Sequence, residues 1–146
     1  MVRNVFIEEL KSEEEILAAY PVVHQLRKHL NESTYLSLVM EAQLKEGYKL
    51  YALLVEERIV AVIGFMPMIT LYNGRFVWVC DLVTDEKERS NGYGETLLKY
   101  VENWGMENGY DCISLSSGLQ RQDAHRFYED KMNYTKVSYV FKKDFK

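Results

Sequence analysis

Apolar and polar positions change period several times along the chain. Val5 and Ile7 share one face of an alternating stretch, so Val2 to Glu9 is predicted as a first strand. Ser12 followed by Glu15 forms a capping box, and Glu13 to Glu15 put negative charge in a first helical turn. Ile16, Tyr20, Val23 and Leu26 or Arg27 continue at helical spacing. Pro21 falls inside that stripe, so a kink or break is expected. Asn31 or Ser33 caps a second helix with Tyr35, Leu36, Leu38, Val39, Ala42 and Leu44, and Gly47 ends it.

Strand formers then take over. Tyr48 to Glu56 reads as a strand, Glu57-Arg58 as a tight turn, and Ile59 to Leu71 as the partner strand. Asn73-Gly74 between apolar runs is a strong hairpin signal, and Phe76 to Thr84 returns antiparallel. Leu97, Leu98, Val101, Trp104 and Met106 mark a helix from Gly94 to Asn108, with Gly109 as its stop. A short strand, Asp111 to Ser116, follows. The intervening helix makes it parallel to the strand before it. A short helix from Gln122 to Asp130 and a last strand, Tyr134 to Lys142, complete the pattern. The fold class is α+β, with a mixed, mostly antiparallel sheet flanked by helices. No linker composition or internal repeat divides residues 1–146, which read as one domain.

The chemically suggestive stretch is Val77 to Gly94. A strand ends in the polar Asp85 to Glu88, and Arg89-Ser90-Asn91-Gly92-Tyr93-Gly94 opens a helix. Such a turn bares backbone N–H groups at the positive end of a helix dipole, which suits phosphate. No Lys-Ser/Thr follows the glycines and no third glycine appears, so neither the P-loop nor the dinucleotide fingerprint fits. On the turn alone, tight helix packing explains the two glycines equally well.

Composition narrows the partners. With 47% hydrophobic residues, 146 residues bury a core without disulfide or metal. A net charge of −4 argues against general nucleic-acid binding and is compatible with a cationic substrate such as an amine. Cys80 and Cys112 are the only cysteines, both expected as buried thiols in strands, and no spacing suggests zinc. The charged N-terminus carries no signal-peptide pattern, and the apolar run Ile59 to Leu71 is too short for a membrane span. The simplest reading is a soluble cytoplasmic protein. His24 and His29 are expected as partly exposed structural histidines.

Strand, Arg-x-x-Gly-x-Gly, helix, strand, then Ala124-His125-Arg126-Phe127-Tyr128-Glu129 resembles the GNAT superfamily of N-acetyltransferases. The specific likeness spans about Val77 to Tyr134, and the element order outside it also fits. The resemblance implies a splayed parallel strand pair. The strand containing Asp81-Leu82-Val83-Thr84 would part from Asp111 to Ser116 to admit the pantetheine arm of acetyl-CoA. It implies that the backbones of Leu82, Val83 and Thr84 line that arm. The pyrophosphate would lie on the loop and helix start of Arg89, Ser90, Asn91, Gly92, Tyr93, Gly94 and Glu95, with Arg89 or Lys87 adding positive charge.

Acetyl transfer to an amine requires a neutral amine, although an alkyl ammonium has a pKa of about 10.4, and a protonated or stabilised leaving thiol. The resemblance assigns thiol protonation to Tyr128, which otherwise packs beside Phe127. It assigns the oxyanion to a backbone N–H of the splayed strand, at Val83, a donor typically worth about 3 kcal/mol. Asp81 is either a base acting through water, a carboxylate that binds the acceptor amine, or a turn cap. Two positions depart from the family pattern. Cys80 stands where polyamine-specific relatives carry Glu, and Arg121 where many members carry Asn. The implied function is acetyl transfer from acetyl-CoA to a small-molecule or protein amine. The alternative is a non-catalytic acyl-CoA-binding module. A late strand with Tyr139, Val140 and Phe141 would also suit a homodimer interface.

Overall fold

The computed structural model describes residues 4–146. The chain divides into two compact units, one ending at Ser114 and the other running from Leu115 to Lys146. The strands are β1 (Val5–Glu9), β2 (Lys49–Val55), β3 (Arg58–Thr70), β4 (Gly74–Thr84) and β5 (Cys112–Leu115), in spatial order β1-β2-β3-β4-β5. The first four form an antiparallel meander. β5 runs parallel to β4, and the pair starts where the Asp111 N–H donates to Arg75 O at 2.7 Å. Residues 2 and 3 of the expected first strand lie outside the described residues.

Local chemistry explains the helices of the first unit. Ser12 accepts from the Glu15 N–H while Glu15 reaches back to the Ser12 N–H, so the capping box starts α1 (Glu13–Ala18). The break expected at Pro21 is real. α1 ends at Ala18, and α2 (Tyr20–Leu26) begins with the proline in its first turn, where no N–H is needed. Asn31 rather than Ser33 caps α3 (Glu32–Glu46), and Gly47 ends it in the left-handed region at φ 70°. The β2–β3 turn is Glu56-Glu57, one residue before the expected Glu57-Arg58, with both residues at positive φ.

The sheet buries both faces, its side chains alternating between two bulges. Leu50, Ala52, Leu54, Val62 and Val83 pack with Ile16, Val22, Val23, Tyr35 and Val39 of α1–α3. On the opposite face Phe65 meets Trp104, and Tyr51 meets Tyr100, both from α4 (Tyr93–Glu107). Clamped between two helical layers, β4 is a rigid carrier for whatever its free end presents.

The second unit departs from expectation. α5 is short (Gln122–Arg126) and passes into a π-helical turn, Phe127–Lys131, closed by the Met132 N–H on Phe127 O at 3.0 Å. The last strand expected over Tyr134 to Lys142 is absent, and residues 134–146 belong to no helix or strand. Its alternating pattern promised a strand, but a strand needs a neighbour to satisfy its backbone. The thiols are corrected too: Cys80 is half-buried and Cys112 is exposed.

Candidate active site

The centre of the first unit's site is the free end of β4. The register runs Asp81↔Gly64 and then Val79↔Phe65, so Cys80 is an extra residue, a β-bulge. Bulges bend and twist a strand locally. Beyond it, Asp81 to Thr84 pair regularly with β3, and the Asp85 N–H donates to Val60 O at 2.8 Å. Alternation then turns the Val83 N–H toward β3 as well. The amides facing the opposite edge are those of Leu82 and Thr84. β5 is four residues long and starts level with Arg75, so it stops well short of them. The open main-chain donors of this strand are therefore one residue either side of Val83.

Asp81 sits in a network that composition could not reveal. Arg27 Nε donates to Asp81 Oδ1 at 2.9 Å, and Arg27 Nη2 donates to Cys80 O at 2.9 Å. Tyr48 Oη donates to Asp81 Oδ2 at 2.8 Å. Burial, and secondarily the Asp81 charge, push the Tyr48 phenol well above its ordinary value, so it stays a donor. Burial, then Asp81, push the Cys80 thiol up to about 12, so it stays protonated at neutral pH. Each carboxylate oxygen of Asp81 already takes one donor, leaving one lone-pair site on each for a further group.

A cavity of about 410 Å³ opens beside this network. Val23, Leu30, Leu38, Val39 and Ala42 give it apolar walls, and Arg27, Tyr48 and Asp81 a polar end. α2 is also tied to the turn that follows β4, because Gln25 Oε1 accepts from the Glu86 N–H at 2.9 Å. These latches hold the free end of β4 from the helix side.

The glycine turn follows. Asp85 caps a 3₁₀ turn, Glu86–Glu88, by accepting from the Lys87 N–H. Arg89, Ser90, Asn91 and Gly92 are exposed, and Asn91 Nδ2 donates back to Glu88 O. Gly92 is the N-cap of α4 at φ 78°, with no side chain to cap the helix. The N–H groups of Tyr93, Gly94 and Glu95 thus begin α4 without a side-chain partner. A Cβ at Gly92 would meet nothing within 4 Å, so its backbone conformation is what demands glycine there. The nearby carboxylates of Glu88 and Glu95 are paired with Arg58 and Lys99. Arg89 has no ion pair among the described residues. Such a helix start can hold an anion on its main chain.

In the second unit, Tyr128 lies in the π-helical turn, a conformation frequent at functional sites. Its ring meets Phe127 edge-on and lies tilted to Tyr134. Burial raises its pKa while the Arg121 charge opposes the rise. Arg121 itself is the exposed N-cap of α5. His24 leans on the Tyr20 ring, and His29 is exposed.

Sequence reading missed Arg27, Tyr48, Gln25 and Gly64. The one available signal was Gly64, a glycine inside a strand, which marks a bulge or a close approach. Among the described residues no group of acidic, histidine and cysteine side chains could hold a metal, and no helix is long and apolar enough to cross a membrane.

Comparison with known proteins fits this geometry. Residues 11–134 match the acetyltransferase (GNAT) family. The chain is 43% identical over 139 residues to "Uncharacterized N-acetyltransferase YhdJ" of Bacillus subtilis (strain 168), covering 95% of this chain and 98% of that one. Among solved structures, an aminoglycoside N-acetyltransferase, AAC(6')-Iy, in complex with CoA superposes with a TM-score of 0.86 at 11% identity, covering 99% of this chain and 97% of that one. A ribosomal-protein-alanine N-acetyltransferase from Brucella melitensis biovar Abortus 2308 superposes with a TM-score of 0.77 at 14% identity, covering 95% and 99%. The chain belongs to the GNAT acetyltransferase family and is an N-acetyltransferase.

Proposed function

We propose that this N-acetyltransferase uses acetyl-CoA and moves the acetyl group to a primary amine, on a small molecule or a protein, by direct attack in a ternary complex. It works as one cytoplasmic domain. The observation that carries this reading is the uncapped start of α4 behind an exposed, left-handed Gly92, a few residues beyond a strand whose outer amides are open. The bound coenzyme supplies an acyl group activated as a thioester. The main chain from Arg89 to Glu95 holds its pyrophosphate, and Leu82, Val83 and Thr84 line its arm. The Leu82 and Thr84 N–H groups are the donors available to the thioester carbonyl.

The Cys80 thiol, kept protonated by burial, is a poor nucleophile, which supports direct attack over an acyl-cysteine route. The acceptor occupies the cavity whose polar end is Asp81. The remaining lone pairs of that carboxylate receive the ammonium and, through water, its proton. Tyr128, protonated at neutral pH, supplies the proton to the leaving thiol. With one carboxylate already sharing Arg27, the polar end suits a monoamine on an apolar body better than a polycation.

The test is calorimetry with acetyl-CoA and turnover over an amine panel read by mass spectrometry, comparing wild type with Gly92→Glu. The added carboxylate should abolish measurable coenzyme binding and turnover while the protein stays folded. Unchanged binding would remove the pyrophosphate assignment.

A further inference from the structure

The cavity beside β4 ends in an ion pair and not in a lone carboxylate, and the way Arg27 is bound leaves most of its donors unspent. Arg27 is the C-cap of α2, its own N–H held on Val23 O at 2.9 Å. Its Nε donates to Asp81 Oδ1 and its Nη2 to Cys80 O, both at 2.9 Å. Those two N–H groups form one side of the guanidinium. The far end, one N–H on each Nη, is a second parallel pair. That end takes no partner among the described residues. The Arg27 side chain lines the cavity and is 38% exposed, so it is accessible to a small molecule. A carboxylate is the group whose two oxygens match such a fork.

Asp81 has a surplus of the opposite kind. Its two oxygens take one donor each, from Arg27 and from Tyr48, and each keeps a lone pair. The charges of Arg27 and Asp81 cancel, which leaves a spare acceptor next to a spare donor fork. A bare cation would use the first and leave the second without a partner, whereas a zwitterion would use both. Val23, Leu30, Leu38 and Val39 line the rest, which calls for an apolar body. At about 410 Å³ the cavity is near the lower end of the roughly 300–1,000 Å³ typical of small-molecule sites. A protein N-terminus carries no carboxylate beside its amine and would leave the fork empty.

We infer that the acceptor is a free α-amino acid with an apolar side chain, its ammonium on Asp81 and its carboxylate on the outer fork of Arg27. This rests on the reading that the cavity receives the acceptor. The amine nitrogen bonds the acetyl carbon and the thioester C–S bond breaks. Of the two protons that the ammonium loses, one goes to water and the other, in net terms, to the leaving thiolate.

Turnover of leucine and phenylalanine, each against its own amide, tests this on the full chain, with the acetylated product measured by mass spectrometry. The amide keeps the side chain and loses the carboxylate. An α-amino group without a neighbouring carboxylate titrates near about 8, so intrinsic reactivity does not favour the acid. In the wild type at least one acid should exceed its amide in kcat/KM by at least about tenfold. Arg27→Gln should bring that ratio to about one, a change that a uniform loss of activity or stability would not produce. Ala42→Phe, which narrows the cavity from α3, should slow acids and amides alike while calorimetry shows unchanged coenzyme binding. Acids with no advantage in the wild type overturn the inference, and so does an advantage that survives Arg27→Gln. The acceptor reading of the cavity still stands in either case if Ala42→Phe slows turnover. If Ala42→Phe slows nothing, the acceptor lies elsewhere and both fall.

Discussion

A Cβ on Gly64 would stand 1.8 Å from the Tyr48 hydroxyl oxygen, and the absence of that carbon is what lets the phenol reach Asp81. Gly64 faces Asp81 across the β3–β4 ladder, so one missing methyl in β3 shapes the polar end of the cavity. Gly64→Ala should force the half-buried Tyr48 ring aside and break its bond to Asp81. Overpacking of this kind costs about 1–3 kcal/mol. Urea unfolding should show that loss. The KM for the acceptor should rise several-fold while coenzyme affinity stays put. Stability equal to wild type would mean that the ring moves freely and the bond matters little.

How much of this was legible beforehand varies by element. Helix and turn chemistry was, because capping boxes, Pro in a first turn and Asn-Gly hairpins act within four residues: Ser12–Glu15, Pro21 and Asn73-Gly74 each did what the local pattern implies. The glycine turn was legible for the same reason. The Asp81 network was not, since Arg27, Tyr48 and Asp81 are brought together over 54 and 33 positions of chain, by the packing of α2 on β4 and by Tyr48, just before β2, reaching across Gly64 of β3. Arg27 in particular passes as a member of an apolar stripe. The missing last strand shows a different limit. A period of two states that a segment can pair, while the neighbour that would satisfy it is not written in the segment.

Tyr48 also predicts a dependence on alkaline pH. Its folded pKa is raised, chiefly by burial, whereas an unfolded tyrosine titrates near 10. Below pH about 10 the phenol is protonated in both states, and its contribution to stability is complete. Above that, the unfolded chain releases the proton and the folded one retains it, so stability falls as pH rises. One such proton is worth about 1.4 kcal/mol per pH unit in that window. Tyr35 and Tyr51, raised by burial as well, steepen the fall. Urea titrations between pH 8 and 11 should show a shallower alkaline slope for Tyr48→Phe. An identical slope would mean that the phenol ionises in the folded state as readily as in water.

At Gly92, strain and crowding can be separated. The residue sits at φ 78°, and a Cβ there would have no neighbour within 4 Å, so Ala adds strain without a clash in the free protein. Left-handed backbone costs an alanine about 1–2 kcal/mol, and Asn tolerates it better. Gly92→Ala should therefore lose more stability than Gly92→Asn in thermal unfolding. Both put a carbon where a pyrophosphate would rest, so both should raise the coenzyme KM to a similar degree. If the KM followed stability instead, the loop would act through its fold and not through contact.

Tyr128 gives the sharpest test of the chemistry. A general acid must hold its proton at working pH, and burial keeps this phenol protonated beyond its ordinary value even though Arg121 opposes the rise. Tyr128→Phe keeps the ring and its contact with Phe127 but removes the proton. Proton transfer of this kind contributes about 10²–10⁴-fold, so kcat should fall by at least about a hundredfold with coenzyme binding intact. The pH profile discriminates further. With the acid's pKa raised, wild-type kcat should show no alkaline loss below pH about 10. A descending limb centred between 8 and 9 that survives in Tyr128→Phe would assign the proton to another group, and the tyrosine would then be a packing residue of its π-helical turn.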